Sequence, residues 1–317
     1  MRIAFHTNSL SLRGTNVVIY DYAYYNQLLL QNESYIIADG KEDLCAIDKF
    51  RDKFPIFIYQ DFSEVNGFIS KEKIDFLYIL KMGLNDGKIS GTVKTGVHSV
   101  FKYFEPHGDV YAYVSEWLAN TMTSGQYPYV PHIIDLKNTN KDLRKNLRIP
   151  PNANVFGYYG GPTSFNIEFV VYAVYFIAKK FPDIYFIFMN VEPIGPEIPN
   201  IIFLPGTFDL ELKSDFINTC DACIHARMDG ETFGLSIGEF SSFNKPIITY
   251  SGKDIDIYDK SHLSILGEKA LIYSTVEEFL ELILDFNRFK NKFTDWNCYR
   301  QFSPENVMKK FEQVFLK

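Results

Sequence analysis

The chain has 317 residues, of which 46% are hydrophobic and 22% charged, and its formal net charge is -7. This length allows two domains of ordinary size, each with its own core. The negative charge argues against binding of a nucleic-acid backbone by the surface as a whole, because such binding grows with the number of Lys and Arg contacts. No run of Lys and Arg in the sequence is long enough to predict a membrane-surface patch.

The first ten residues read MRIAFHTNSL, and their apolar run is too short for a signal peptide or a membrane span. They predict a first strand, and we expect a cytoplasmic protein. The cysteines agree with this prediction: Cys220 and Cys223 form a C-x-x-C, but no second pair accompanies them. Cys223 lies in the strand-like run DACIHA, which favours a place in the core over zinc binding or thiol chemistry.

Short β-rich runs alternate with longer helical ones along the first half, a pattern typical of a parallel sheet with crossover helices. The predicted strands there are Arg2–His6, Tyr35–Ala38, Ile56–Tyr59, Phe76–Leu80, Lys94–Val97 and Val110–Val114. The loop after the first strand contains Gly14, and a helix is predicted over Val17–Leu30. In such a unit the helix N-terminus can meet a ligand, which makes Gly14 a candidate ligand contact.

A linker follows near Pro128–Asp135, and a second alternating series begins at Asn154. Its predicted elements are strand Val155–Tyr158, helix Ile167–Lys180, strands Ile184–Met189 and Ile201–Leu204, helix Leu210–Asn218, strand Ala222–His225, helix Phe233–Phe243, strands Pro246–Thr249 and Ala270–Tyr273, and helix Val276–Phe289. We therefore predict an α/β protein with two doubly wound, Rossmann-like domains, residues 1–132 and 133–303, that face each other across a cleft. A last helix within residues 304–317 is expected to cross back to the first domain.

The segment from His225 to Tyr250, HARMDGETFGLSIGEFSSFNKPIITY, combines a strand end, a glycine-containing loop and a helix start. Exposed amides of a first helical turn attract an anion, and glycine lets the backbone approach a ligand closely. Glu231 before the helix and Glu239 about two turns into it can hold two parts of one elongated ligand, with phosphates between them. The predicted contacts at the helix start are Thr232, Phe233, Gly234 and Leu235.

Glu231 and Glu239 form an E-x7-E pattern, and the wording GETFGLSIGEF…NKPII resembles the donor-binding motif of the retaining glycosyltransferases of family four, which have the GT-B fold. The linker VPHIIDL also resembles the passage between the two domains of that family. The resemblance implies that Glu239 holds the ribose hydroxyls of a nucleotide and that Glu231 lies beside the donor sugar. It also implies that the backbone amides of Phe233, Gly234 and Leu235 bind the diphosphate.

One stretch departs from the pattern of that family. Its members usually carry an Arg and, five residues later, a Lys after the first strand of the second domain, where these cations neutralise the leaving diphosphate. Tyr158 and Thr163 stand in those places here, and Gly160 and Gly161, between them, are candidate ligand contacts. Loss of both cations weakens transition-state stabilisation unless another cation replaces them. Arg227 is the candidate substitute, with a surface or loop-packing role as the alternative.

His98 follows the strand-like run Lys94–Val97, and we expect it at the carboxyl end of that strand, facing the cleft. The resemblance implies that a histidine there contacts the donor sugar or the acceptor. A hydrogen-bonded histidine of the core is the equally weighted alternative. Gly14, in the first strand–helix loop, is likewise expected near the leaving group or the acceptor.

The resemblance implies a metal-independent transfer of a sugar from a nucleotide diphosphate sugar to a hydroxyl acceptor, such as a glycan, a lipid or a protein-linked sugar, with the anomeric configuration kept. The nucleotide sugar is then a donor substrate, and no cofactor, metal ion or nucleic acid is expected. Asp254 and Asp256 form a D-x-D, but a polar turn is favoured there. Two alternatives stay open: a non-catalytic binder of sugar nucleotides or glycans, and another GT-B enzyme such as an epimerase or a phosphorylase.

Overall fold

The chain forms two compact units in the computed structural model, which describes residues 1–291 and 293–317, with the backbone alone at 289 and 290. Unit 1 consists of Met1–Ile133 together with Phe302–Lys317, and unit 2 consists of Ile134–Gln301. Each unit has a six-stranded parallel sheet. Within the described residues, no helix has both the length and the apolar character needed to cross a bilayer.

The sheet of unit 1 has the strand order β3-β2-β1-β4-β5-β6. Its strands are β1 (Arg2–Thr7), β2 (Glu33–Asp39), β3 (Ile56–Tyr59), β4 (Phe76–Lys81), β5 (Lys94–Ser99) and β6 (Val110–Tyr113). The helices between them are α1 (Gly14–Leu28), α2 (Ile47–Arg51), α3 (Glu64–Glu72) and α4 (Glu116–Thr123). The central strands are buried on both faces, as β4 shows with its sequence FLYILK, because helices cover both sides of a doubly wound sheet.

The sheet of unit 2 has the strand order β14-β12-β10-β7-β8-β9. Its strands are β7 (Asn154–Tyr159), β8 (Ile184–Met189), β9 (Ile201–Leu204), β10 (Ala222–His225), β12 (Ile247–Tyr250) and β14 (Leu271–Tyr273). A separate two-stranded ladder joins β11 (Gly230–Glu231) to β13 (Asp259–Lys260). The helices are α5 (Glu168–Lys180), α6 (Leu210–Thr219), α7 (Leu235–Ser242), α8 (Ser261–Leu266), α9 (Val276–Leu284) and α10 (Arg288–Asn291).

The last helix, α11 (Pro304–Phe311), belongs to unit 1 and continues as a wider π-type turn over Glu312–Leu316. Ser303 caps it by accepting a hydrogen bond from the Asn306 amide. Phe311 lies within 5.1 Å of Tyr22 on α1 and 5.2 Å of Tyr78 on β4, measured between ring centroids. Aromatic packing of this kind fixes the C-terminal residues to the core of unit 1.

Several helix bounds differ from those predicted. The first helix begins at Gly14 rather than Val17 and ends at Leu28. The predicted helix Val276–Phe289 ends at Leu284, and a separate short helix, α10, follows. The helices α2, α3, α4 and α8 were not predicted, since helices of five to nine residues carry too few apolar repeats for a 3.6-residue period to stand out.

Candidate functional site

The loop after β10 is shaped by the short ladder between β11 and β13. Gly230 has a left-handed backbone, with φ +68°, and a Cβ at this position would lie 2.2 Å from the carbonyl oxygen of Asp259. Only glycine fits both the conformation and the close approach of the two backbones. The ladder pairs Glu231 with Lys260 and therefore fixes the backbone from which the Glu231 side chain projects.

Helix α7 begins at Leu235, and Gly234 is its N-cap residue with a left-handed backbone of φ 86° and ψ 69°. The predicted start at Phe233 is therefore wrong by two residues, because a left-handed residue cannot continue a right-handed helix. Gly234 stays in this conformation beside the Tyr299 hydroxyl, which donates a 2.8 Å hydrogen bond to the Phe233 carbonyl. The amides of the first helical turn start at Leu235, while those of Thr232, Phe233 and Gly234 precede the helix.

Glu231 lies among basic and aromatic side chains at the end of β10. Nη1 of Arg227 lies 3.3 Å from Oε1 and 3.4 Å from Oε2 of Glu231, and Nε2 of His225 lies 3.4 Å from Oε1. Burial opposes ionisation of this carboxyl, but Arg227 and His225 outweigh it and lower the pKa of Glu231 to about 2. The site therefore holds a carboxylate at neutral pH. The guanidinium of Arg227 also lies 3.6 Å from Asp229.

A threonine connects the two histidines beside Glu231. Thr249, on β12, is paired in register with His225 on β10, and both side chains are fully buried. The Thr249 hydroxyl lies 3.0 Å from Nδ1 of His225 and 3.2 Å from Nε2 of His262, on α8. Burial, together with the neighbouring His225, lowers the pKa of His262 to about 3, so His262 is neutral at physiological pH.

Glu239, in the middle of α7, forms an ion pair with Lys213 on α6. The Lys213 ammonium lies 2.6 Å from Oε1 and 2.5 Å from Oε2, and the two side chains are 13% and 8% exposed. The same ammonium lies 4.7 Å from the centre of the Tyr159 ring, at the end of β7. The second glutamate of the E-x7-E pattern is thus held by a cation that adjoins the carboxyl end of the sheet.

The end of β7 and the loop that follows it carry no charge at the two positions where the resembling family has cations, Tyr158 and Thr163. Tyr158 is buried, and its hydroxyl donates a 2.9 Å hydrogen bond to Oγ of Ser164. Burial, and then the charge of Glu231, raise the pKa of Tyr158. Gly160 follows the strand and accepts a 2.6 Å hydrogen bond from the Asn190 side chain. Gly161 and Thr163 are exposed.

The two predicted site residues of unit 1, Gly14 and His98, differ in their exposure to solvent. Gly14 is exposed in the first turn of α1. His98 is completely buried near the end of β5, with Nδ1 2.6 Å from the Tyr78 hydroxyl and Nε2 3.1 Å from the Tyr113 carbonyl. The expected open position of His98 is therefore corrected to a core position. Because both ring nitrogens have partners, and because burial lowers the pKa of His98 to about 4, it is a neutral structural histidine.

The residues considered for metal or thiol chemistry have surroundings that favour neither role. Cys220 and Cys223 are buried and free, and burial raises the pKa of both thiols. Asp254 and Asp256 are exposed. Over residues 1–291 and 293–317, no group of three or more His, Cys, Asp and Glu side chains is arranged to hold a metal ion.

Comparisons by sequence and by structure give different outcomes. No protein-family model matches the sequence, and no curated protein matches it. Solved structures match over nearly the whole chain. HepE from Anabaena, in complex with UDP and glucose, has a TM-score of 0.76 at 12% identity and covers 100% of both chains. The chain has the GT-B fold.

Two further GT-B neighbours carry different activities in their names. A glycosyltransferase from Rickettsia africae matches with a TM-score of 0.69 at 13% identity, over 98% of this chain and 94% of that one. A putative UDP-N-acetylglucosamine 2-epimerase from Listeria monocytogenes matches with a TM-score of 0.61 at 13% identity, over 99% and 94% of the two chains. At such identities the likeness establishes the fold of this protein.

Four residues of this region were not singled out from the sequence: Lys213, His225, Thr249 and His262. Lys213 is 26 positions from Glu239, so no local pattern connects them. His225 and Thr249 were placed at strand ends, but their contact depends on the pairing of β10 with β12. Polar residues at the ends of adjacent parallel strands are the signal that finds such a pair.

Proposed function

We propose that the protein is a glycosyltransferase that binds a nucleotide diphosphate sugar in unit 2 and transfers the sugar to a hydroxyl acceptor. The observation that carries the proposal is the grouping of Glu231, the left-handed Gly234 and the start of α7 at the carboxyl end of β10. A GT-B neighbour, HepE, was solved with UDP and glucose. Ligands of open parallel sheets bind at this edge.

The proposed roles follow from charge and geometry. The first-turn amides of α7 bind the diphosphate, with the helix dipole adding to the attraction. Glu239 accepts hydrogen bonds from the ribose hydroxyls, and Lys213 holds the Glu239 side chain in place. Glu231 lies beside the sugar. Arg227 supplies positive charge near the leaving phosphates, because the uncharged Tyr158 and Thr163 stand where the family has Arg and Lys.

We further propose that transfer retains the anomeric configuration, is metal-independent and uses an acceptor bound at unit 1, as the family resemblance implies. In this scheme the protein positions two substrates and stabilises the departing diphosphate, so no side-chain nucleophile is required. A cytoplasmic location and the exposed Gly14 near the acceptor remain predictions of the same kind.

Two other functions each have an observation in their favour. Tyr158 and Thr163, in place of the usual cations, favour a binder of sugar nucleotides that performs no transfer. The Listeria neighbour favours a sugar-nucleotide epimerase. NMR of the sugar products separates the three functions: a new glycosidic bond indicates transfer, an inverted ring carbon in the free sugar nucleotide indicates epimerisation, and an unchanged ligand indicates a binder.

The test of the site uses two glutamate variants and a matched control. Glu239→Ala should weaken UDP binding about tenfold or more, because the ribose loses charge-assisted hydrogen bonds. Glu231→Ala should lower turnover with little change in affinity for free UDP. Glu277→Ala, on the exposed first turn of α9, is the control and should change neither. Isothermal titration and a transfer assay measure both quantities, and wild-type behaviour of both site variants contradicts the assignment.

A further inference from the structure

Thr249 lies on β12, and its side chain was not assigned a role from the sequence. Its hydroxyl is placed between Nδ1 of His225 and Nε2 of His262, at 3.0 and 3.2 Å. His225 in turn lies 3.4 Å from Glu231 through its other ring nitrogen. The four side chains thus form one hydrogen-bonded series that leads from α8 to the carboxylate, and three of them are completely buried.

The chemistry of Glu231 sets one proton position in this series. The Glu231 carboxylate only accepts hydrogen bonds, so Nε2 of His225 must carry a proton. On the opposite side of the same ring, Nδ1 of His225 lies 3.0 Å from the Thr249 hydroxyl. The His225 ring is therefore held at both nitrogens, by Glu231 on one side and by Thr249 on the other.

We propose that Thr249 is a positioning residue, whose hydroxyl holds the His225 ring with Nε2 turned to Glu231 and thereby fixes this carboxylate for turnover. The inference rests on the proposed function of Glu231. Without the hydroxyl, Nδ1 of His225 loses this hydrogen-bond partner, and the ring can turn away from the carboxylate. Arg227 still contacts both oxygens of Glu231, so we expect a misplaced carboxylate and not a lost one.

Valine and serine substitutions separate the hydroxyl from the packing of Thr249. Valine keeps the shape and removes the hydroxyl, whereas serine keeps the hydroxyl and removes a buried methyl group. A packing role predicts that Thr249→Ser is the more damaging change, since a small cavity remains. The positioning role predicts that Thr249→Val lowers turnover more than Thr249→Ser does.

The kinetic test compares both variants with the wild-type chain, using UDP-glucose as donor. Thr249→Val should lower kcat about tenfold, with affinity for free UDP unchanged, because one hydrogen bond that orients Glu231 is lost. Thr249→Ser should keep the wild-type kcat within about twofold. Equal kcat values for Thr249→Val and wild type overturn the inference, and so does a greater loss in Thr249→Ser. Thermal unfolding of each variant verifies that the fold is intact.

A spectroscopic test reads the proton on Nε2 of His225 directly in the full-length protein. Long-range ¹H–¹⁵N NMR of the histidine rings should show this proton in the wild-type chain. An Nε2 without a proton overturns the inference, even if Thr249→Val fails to fold. The two proposals fail separately: a wild-type chain that shows this proton but binds no UDP contradicts the proposed function and leaves the hydrogen-bonded series standing.

Discussion

Replacing Lys213 with methionine removes the cation that holds Glu239 and leaves a buried carboxylate without its counter-charge. The ammonium contacts both carboxylate oxygens, at 2.6 and 2.5 Å, and the side chains are only 13% and 8% exposed. Breaking a buried pair by removing one partner costs about 3–5 kcal/mol of unfolding free energy. Because Lys213 retains some contact with water, we expect the lower end, about 3 kcal/mol. Methionine keeps the aliphatic part of the side chain, so the loss of unfolding free energy is due to removal of the charge.

The assay follows the unfolding of unit 2 by itself. The chain has two tryptophans, Trp117 in unit 1 and Trp296 in unit 2, so Trp117→Phe leaves one fluorescent reporter of unit 2. Urea unfolding is measured in this background for Lys213→Met, for Glu239→Gln and for the double variant. The double variant should recover part of the loss, because neither charge is left alone.

The control for this experiment is Lys179→Met, on the exposed end of α5, which should leave the unfolding free energy of unit 2 within about 0.5 kcal/mol of the parent. The reasoning is refuted if Lys213→Met lies within that same margin. It is also refuted if the double variant loses the sum of the two single losses, since uncoupled side chains behave additively.

Two further predictions concern the backbone and pH. Gly230→Ala should lower the unfolding free energy of unit 2 by about 2 kcal/mol or more, because φ is +68° and the new Cβ clashes with the Asp259 carbonyl. Gly91→Ala, with open space around the new Cβ, is the control and should leave the unfolding free energy nearly unchanged. Urea unfolding of each variant measures the two effects. His98 has a folded pKa of about 4, below its ordinary 6.5, so its stabilising contribution is present above pH 6.5 and is lost as the pH falls towards 4. The expected loss from His98 over that interval is about 3 kcal/mol, and His6 and His132 of the same unit add to it, because burial lowers their pKa values as well. A pH series in which the unfolding free energy of unit 1 stays constant between pH 6.5 and 4 contradicts the prediction.

The sequence specified the strands of this fold better than its helices. The predicted bounds of Ile56–Tyr59, Ile184–Met189, Ile201–Leu204 and Ala222–His225 are confirmed residue for residue. These are short, continuous and mostly apolar runs rich in β-branched and aromatic residues, which favour strands. Two of them, Ile184–Met189 and Ala222–His225, are almost entirely buried, and strands buried on both faces require such runs. The predicted GT-B fold, with its two doubly wound units, is confirmed as well.

The details of the candidate site depended on tertiary contacts that no local pattern contains. Gly234 was predicted to be a ligand contact, but its left-handed conformation, after which the helix begins at Leu235, was not predicted. This part of the loop contacts Tyr299, which is distant in the sequence. His98 was placed correctly at the end of a strand, yet only the packed core shows that both its nitrogens are occupied. The partner of Glu239 required the packing of α6 against α7.

A crystal structure of the chain with bound UDP tests the central claim most directly. We predict that the diphosphate oxygens lie about 3 Å from the backbone amides that open α7 at Leu235, and that the ribose hydroxyls contact Glu239. Density for UDP elsewhere on unit 2, or a helix start closed off by its own side chains at saturating UDP, contradicts the claim.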